Sequence, residues 1–334
     1  MFCTCSGYPR EQKWTRLQNA WRRVNAHGAP GPLYHEGLIT WHDPGCEPEI
    51  DMNSQHTQEV AAGERFEFGE NWQRFLSVLN DDRIRRAERS LCEMLELDSL
   101  DGKTFLDIGS GSGLFSLAAR RLGATVHSFD YDPQSVSCTR ELKSRYFSDD
   151  AKWQIEQASV LDDKYLATLG QWDVVYSWGV LHHTGAMWPA LRNVAPLVRN
   201  DGRLFIAIYN DQGTWSRRWR LLKRTYNKLP GPLKPLFATL VMGPRELQFL
   251  VLATLKGRPS IYFDNIRNYA EQSTRGMSYV HDLKDWIGGY PFEVAKPEEI
   301  FSFFRDRGFV LNKLTTCAGG LGCNEFVFSR NPAA

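Results

Sequence analysis

Residues 103–132 read KTFLDIGSGSGLFSLAARRLGATVHSFDYD, and this stretch decides the fold. A short apolar run ends at Asp107, and a turn with a glycine at every second position follows it. The pattern over residues 114–122 is helical and stops at Gly123, after which a second apolar run ends at Asp130. A strand, a glycine turn, a helix and a strand that ends in an acid predict half of a nucleotide-binding α/β fold.

The glycine turn indicates the class of ligand. Gly109, Gly111 and Gly113 let the backbone approach a ligand closely, and they lead into a helix N-terminus whose N–H groups point outward. Their spacing is G-x-G-x-G, whereas a dinucleotide fingerprint is G-x-G-x-x-G. A carboxylate at Asp107 suits a ligand with an ammonium and a sulfonium group and disfavours a pyrophosphate. Asp130 is placed to accept hydrogen bonds from a ribose diol.

These positions resemble motif I and its sequel in class I S-adenosylmethionine-dependent methyltransferases, over about residues 65–330 apart from an insertion. The resemblance implies S-adenosyl-L-methionine as the cofactor. It also implies a doubly wound α/β sheet of seven strands, mostly parallel with an antiparallel C-terminal strand. An NAD(P)-linked oxidoreductase is the alternative within nucleotide-binding folds, and Asp107 and Leu114 disfavour it.

Length and composition limit the other possibilities. The chain has 334 residues with 42% hydrophobic content, enough for one large domain with an insertion. Its net charge of +1 argues against a nucleic acid as partner, and its seven scattered cysteines argue for a reducing cytoplasm. We expect no metal site, because the His and Cys spacing fits no ligand pattern. We also expect no transmembrane segment, because no run of about twenty apolar residues occurs.

Three segments follow from the change of pattern along the chain. Residues 1–60 lack periodicity and are predicted to form a largely irregular arm. The catalytic domain is expected to comprise residues 61–210 and 296–330. Between these ranges the alternation of strands and helices stops for too long to be a loop. Residues 211–295 are therefore predicted to be a helical cap inserted after the fifth strand, over the carboxyl edge of the sheet.

The resemblance implies further contacts to the cofactor. In similar methyltransferases the residue after the third strand contacts adenine, often as an Asp; here Ser159 and Val160 occupy that place. Trp178, at the end of the fourth strand, is expected to line the methyl-donor pocket. Trp72 belongs to an N-terminal helix that is expected to close over the cofactor, and Tyr131 directly follows the ribose-binding acid.

Two adjacent histidines, His182 and His183, follow the fourth strand at the position of the family's motif IV, beside the reacting methyl group. Histidine titrates near neutrality, so either residue is a candidate general base. One of them could instead cap a turn or pack against the cofactor, and spacing does not decide which histidine faces the pocket. Similar quinone- and phenol-directed methyltransferases carry a histidine at this turn. This implies in-line methyl transfer to oxygen of a small-molecule acceptor.

The cap is expected to supply the acceptor pocket. Arg275 is a candidate anchor for an anionic group, and Tyr209 and Tyr290 are the other predicted substrate residues. The basic residues of 217–224, followed by the apolar run LFATLV, are typical of a helix that lies on a membrane surface, where it could admit a lipid-like acceptor. A solvated helix face with a packed underside is the alternative.

A second functional hypothesis follows from this basic cap. The chain could be a catalytically idle cofactor-binding module that docks a membrane or a partner protein. We expect the chain to be located in the cytoplasm. A peripheral position on the membrane is the alternative. The sequence carries no signal for an oligomeric state.

Overall fold

The computed structural model of the chain describes residues 51–269 and 279–331. Seven strands of this part pair into one sheet with the order β3-β2-β1-β4-β5-β7-β6. Strands β1 to β5 are parallel, and β7 runs antiparallel to both β5 and β6. This confirms the predicted fold class. The strands are β1 (Thr104–Ile108), β2 (Thr125–Asp130), β3 (Trp153–Gln157), β4 (Trp172–Trp178), β5 (Val198–Tyr209), β6 (Phe309–Thr315) and β7 (Cys323–Arg330).

Helices precede the sheet, connect its parallel strands and form the inserted segment after β5. Short 3-10 turns span residues 181–183, 195–197 and 231–233. The helices are α1 (Met52–Ala61), α2 (Gly69–Ser77), α3 (Asp81–Leu95), α4 (Leu114–Arg121), α5 (Pro133–Tyr146), α6 (Asp163–Leu169), α7 (Met187–Val194), α8 (Thr214–Lys228), α9 (Lys234–Leu255), α10 (Ser260–Arg267), α11 (Tyr279–Gly288) and α12 (Pro297–Arg305).

Both faces of the sheet are covered, so the central strands β1 and β4 are mostly apolar. One core contains Leu91 of α3, Leu117 of α4 and Leu142 of α5. The other core contains Leu191 of α7 and Phe304 of α12. The strand order reverses between β1 and β4, so the carboxyl ends of these two strands border the crevice in which such folds bind ligands.

Helix α1 corrects the expectation for the N-terminal arm at its last residues. Residues 52–60 were expected to be irregular and are helical. The helix has one buried residue, His56, and therefore lacks the apolar stripe on which a periodicity argument depends. Residues 1–50 lie outside the described part, and the boundaries of the three predicted segments stay predictions.

The inserted segment contains one stretch of unusual composition. Residues 231–255 form a helical stretch of 25 residues that is long and apolar enough to cross a membrane, and only 6% of its most apolar window is buried. The sequence reasoning missed this stretch, and the absence of a transmembrane segment stays a prediction. Charged residues such as Lys234 and Arg245 interrupt the run, so a search for uninterrupted apolar residues misses a segment that is apolar on average.

Candidate active site

A cavity of about 820 Å³ opens at the carboxyl ends of β1, β2 and β4. Eleven of the fifteen residues predicted for the site lie in its wall. They comprise nine predicted cofactor residues, one histidine and one predicted substrate residue. These are Trp72, Asp107, Gly109, Gly111, Asp130, Tyr131, Ser159, Val160, Trp178, His183 and Tyr209.

The glycine turn leaves bare backbone facing this cavity. Gly109 has φ +79° and donates its N–H to the Phe129 carbonyl at 2.8 Å. A Cβ at Gly109 would lie 2.4 Å from Cγ1 of Val180, which is closer than real side-chain contacts allow. Gly111 has φ +54°, and a Cβ there would lie 3.0 Å from Nε1 of Trp72. Both positions therefore require glycine for conformation and for space.

Asp107 lies at the end of β1 and is only 2% exposed. Burial raises the pKa of this carboxyl to about 7, and the nearby charge of Asp130 acts in the same direction. A hydrogen bond from the Ser116 hydroxyl acts in the opposite direction. An acid held near neutrality by burial is one whose ionised form a bound cation would stabilise.

Asp130 ends β2 and borders the same cavity. One carboxylate oxygen accepts the N–H of Gly111 at 2.9 Å, and the other accepts the N–H of Asp132 at 3.0 Å. Burial raises the pKa of Asp130 to about 7, with the charge of Asp132 as the second cause. The acid is thus held by backbone donors of the glycine turn on one side and of the β2–α5 turn on the other.

Helix α1 and the segment after it contribute residues that the sequence reasoning missed. Arg65 donates from Nε to Glu59 at 2.6 Å and from Nη1 to the carbonyl of His183 at 3.2 Å. Its guanidinium also lies 4.7 Å above the ring of Tyr131. Arg65 therefore joins α1, the β2 end and the histidine turn. The α1 residues in the cavity wall are Met52, Gln55, His56 and Glu59.

The structure separates the two histidines. His183 lies in the cavity wall, whereas His182 is completely buried outside that wall, with its ring 4.0 Å from the ring of Tyr209. Nδ1 of His183 lies 2.6 Å from the carbonyl oxygen of Pro291. Since a carbonyl can only accept, Nδ1 carries the hydrogen, and the neutral ring has its basic lone pair on Nε2.

Aromatic side chains surround this histidine. The ring of His183 lies 5.1 Å from that of Phe68 and 5.4 Å from that of Tyr209. Tyr209 in turn lies 5.4 Å from Trp286 of α11. Behind them, the buried Lys223 donates to the Trp286 carbonyl, with its ammonium 4.5 Å from the Trp286 ring centre. This end of the cavity is suited to a flat, mainly apolar molecule.

Four predicted residues are not in the cavity wall. Gly113 starts α4 and faces α5, where a Cβ would lie 2.9 Å from Cα of Thr139. The carbonyl of Tyr290 accepts the N–H of Phe66 at 2.9 Å, so this residue links the cap to the segment before α2. Gly113 and Tyr290 are therefore not among the residues that line the cavity, and the ligand contacts predicted for them stay predictions. His182 is the third, and Arg275 lies outside the described residues.

Within residues 51–269 and 279–331, no cluster of three His, Cys, Asp or Glu residues could hold a metal ion.

Comparison with known sequences identifies the turn. The model of the family described as "Methyltransferase domain" matches residues 106–204, from β1 into β5. The match contains the glycine turn, both acids and the histidine turn. The chain carries a class I S-adenosylmethionine-dependent methyltransferase domain. This confirms the resemblance on which the fold and the cofactor were predicted.

Relatives of the methyltransferase domain differ in the acceptors that their names state. Ribosomal protein L11 methyltransferase of Prochlorococcus marinus (strain MIT 9515) is 35% identical over 127 residues, which are 37% of this chain and 41% of that protein. Ubiquinone biosynthesis O-methyltransferase of Xanthomonas campestris pv. campestris (strain B100) is 31% identical over 112 residues, 34% of this chain and 45% of that protein. The chain thus spans less than half the length of these relatives.

Among solved structures, magnesium protoporphyrin IX methyltransferase of Synechocystis PCC 6803 aligns over 95% of each chain. The sequence identity is 13% and the TM-score is 0.44.

Two observations show that the residues of the methyltransferase domain fit S-adenosyl-L-methionine. The turn at Gly109 and Gly111 is open only because no side chain fills it. Asp107 and Asp130 are acids whose pKa values burial raises to about 7, and a cationic ligand offsets that effect.

Proposed function

We propose that the protein transfers a methyl group from S-adenosyl-L-methionine to an oxygen atom of a small-molecule acceptor. The observation that carries this proposal is the shared cavity wall. In it, a glycine turn for the cofactor and a histidine with its lone pair on Nε2 border the same space. The relatives' names include an O-methyltransferase and a ribosomal protein methyltransferase. The aromatic surroundings of His183 favour the small-molecule acceptor over a protein side chain.

In this proposal the two acids bind opposite parts of the cofactor. Asp107 lies at the methionine end, where its carboxylate stabilises positive charge. Asp130 accepts hydrogen bonds from the ribose diol, and the N–H of Gly111 keeps its carboxylate in place. Ser159 and Val160 border the adenine, and Trp72 covers the glycine turn. The cofactor supplies an electrophilic methyl group on its sulfonium.

His183 then acts as the general base. Nε2 accepts the proton of the acceptor hydroxyl, which makes that oxygen a stronger nucleophile. The Pro291 carbonyl accepts a hydrogen bond from Nδ1–H, which fixes the tautomer and stabilises the imidazolium that forms. Arg65 holds the main chain of the same residue through the His183 carbonyl. Because the backbone and the ring are both held, the base keeps its position relative to the acceptor.

Phe68, Tyr209 and Trp286 form an aromatic wall at this end of the cavity. Charge is dispersed during methyl transfer, so a dry and apolar environment favours the transition state over the charged reactants.

The proposal is tested in two steps with the full chain. Calorimetric titration with S-adenosylhomocysteine and with NAD⁺ comes first, and we expect heat only from the former. Incubation with methyl-labelled cofactor and a panel of phenols, quinols and amines follows, with ribosomal protein L11 as a protein acceptor. Label in phenols or quinols is the expected result. Binding of NAD⁺ alone contradicts the cofactor, label only in amines contradicts the oxygen acceptor, and label only in L11 contradicts the small-molecule acceptor.

A further inference from the structure

Exposed apolar side chains concentrate in one part of the molecule. Among the described residues, ten of the nineteen exposed large hydrophobic side chains fall between Leu233 and Phe263. Scattered exposed apolar residues are normal, but a continuous group of this kind marks an interaction surface.

The pattern along α9 arranges these side chains in a stripe. Leu236, Leu240, Leu247, Val251 and Leu255 recur at spacings of four or seven residues, so they lie on one side of the helix. Their exposure runs from 46% at Val251 to 78% at Leu255. We call this stripe, with the exposed apolar residues of α10, the cap surface. The exposed members in α10 are Ile261 and Phe263.

The other side of α9 packs against the protein. Phe237, Val241 and Met242 form a small core with Tyr226 of α8 and Ile287 of α11. Packing therefore holds α9 through its first half, while the side chains of the cap surface are exposed. A helix fixed in this way can lie on a bilayer, whereas crossing it would require α9 to leave α8 and α11.

Positive charge, like exposed apolar surface, is concentrated in the inserted segment. Residues 214–267 contain eleven Lys and Arg but only two acids, Glu246 and Asp264, which gives a net charge of +9. The whole chain has a net charge of +1, so the remainder of the chain carries −8. Exposed basic residues lie in α8, which precedes α9 in the sequence, and directly after the end of α9. They include Arg217, Arg218, Arg224, Lys256 and Arg258.

We propose that the cap surface docks on an anionic lipid bilayer, with α9 lying in the interface and the basic residues contacting lipid headgroups. Apolar and basic groups on one surface provide the two contributions that hold interfacial helices on such membranes. A second copy of this chain fits less well, because two segments that each have a net charge of +9 would approach each other.

The cap also reaches the mouth of the cavity, where Arg245, Tyr269 and Leu283 contribute to its wall. Docking through the cap surface would therefore bring the cavity mouth close to the bilayer. This consequence for a lipid-borne acceptor rests on the proposed function, whereas docking itself does not and is measured without cofactor or acceptor.

Co-sedimentation with vesicles tests the docking. Vesicles of phosphatidylcholine with about 30% phosphatidylglycerol are compared with vesicles of phosphatidylcholine alone, at low and at high salt. We expect the wild-type chain to bind the anionic vesicles at least about tenfold more tightly at low salt, and high salt to weaken this binding.

Three variants separate the contributions. The double variant Leu240→Asp/Leu247→Asp is expected to lose at least about tenfold in affinity, because it places two charges in the stripe. The double variant Lys256→Glu/Arg258→Glu is expected to bind anionic vesicles about threefold to thirtyfold more weakly than wild type. Salt is expected to affect its binding less. The control Val78→Asp changes a side chain that is 48% exposed outside the cap, and its affinity is expected to stay at the wild-type value.

Equal binding by wild type and the Leu240→Asp/Leu247→Asp variant would overturn the proposal, as would failure of the wild type to bind anionic vesicles. Sedimentation velocity tests whether a second copy of the chain occupies the cap surface instead. A wild-type dimer that this variant dissociates, together with no vesicle binding, would assign the surface to a second copy. Unchanged thermal unfolding of the variant ensures that lost binding is not lost folding.

Discussion

The two walls of the cavity are built in different ways. Residues 103–132 form one wall largely from backbone: glycines at positive φ, and two acids held by N–H and O–H groups close to them in the chain. The segments near His183 form another wall from side chains that are far apart in sequence, as the separation of 108 residues between His183 and Pro291 illustrates. We infer that the first wall specifies the cofactor and the second specifies the acceptor, and the predictions below test this division.

The largest effect is expected at His183, in the acceptor wall. We expect His183→Asn to lower kcat by about 10²–10⁴ because the general base is lost, while affinity for S-adenosylhomocysteine changes less than about threefold. Steady-state kinetics and calorimetry measure the two quantities.

His182→Asn is the matched control, since His182 is buried outside the cavity wall. It is expected to lower stability but to keep kcat within about tenfold of wild type and to preserve the pH dependence of kcat. If turnover is insensitive to both substitutions, neither histidine is the base, although the fold and the cofactor site are unaffected by that result.

The next effect is expected in the cofactor wall. We expect Gly109→Ala to lower the free energy of unfolding by about 3 kcal/mol, because a positive φ and a contact with Val180 oppose the added methyl group. Gly102→Ala, at φ +70° with no atom near the added Cβ, isolates the conformational part and should lower it by about 1 kcal/mol. Urea denaturation measures both variants, and equal losses would show that crowding at Gly109 is absent.

The pKa values of the two acids predict a pH effect in the same wall. Burial raises the pKa of Asp107 from 3.8 to about 7, so the folded chain without ligand binds more protons than the unfolded chain between these values. This contribution to stability is complete below about pH 4 and is lost as pH rises through about 7, by on the order of 2 kcal/mol between pH 5 and 7.

The check is the difference in unfolding free energy between wild type and Asp107→Asn, measured from pH 5 to 7. We expect wild type to lose stability relative to the variant as pH rises. A constant difference would mean that Asp107 titrates at its ordinary value.

The smallest effect is expected where α1 meets both walls. We expect Arg65→Ala to weaken S-adenosylhomocysteine binding by about threefold to tenfold and to lower stability by about 1–2 kcal/mol, because its partly buried contacts to Glu59 and His183 are lost. Calorimetry and urea denaturation provide these values.

Arg74→Ala is the control, because Arg74 forms an exposed pair with Glu70 on one helix. Its effect on stability should stay below about 0.5 kcal/mol, with no change in ligand affinity. If the two arginine variants behave alike, Arg65 does not hold α1 over the cavity.

The cofactor wall could be predicted from the sequence for a local reason. The patterns of strand, turn and helix occur within one continuous stretch of residues. The sequence alone therefore places Asp107, Gly109 and Asp130 at the strand ends that border the cavity. The sheet of seven strands follows from the same periods and from the family resemblance.

The acceptor wall could be predicted only in part, because its members meet by folding. Helix α1 has no apolar stripe and was missed, as were Arg65 and Phe68 in the cavity wall. Helix α9 was missed as a membrane-length stretch because it is apolar on average and not without interruption.

The amino-acid sequence by itself determined the methyltransferase fold, the glycine turn and the two acids, since each depends on residues within one strand–helix–strand unit. Only the tertiary structure decided which of His182 and His183 lies in the cavity wall, where Nδ1 of His183 donates to the carbonyl of Pro291 in a distant segment. It likewise decided which side of α9 stays exposed, because packing against α8 and α11 covers the other. Local periodicity records the conformation of neighbouring residues, whereas contacts between distant segments exist only after the chain has folded.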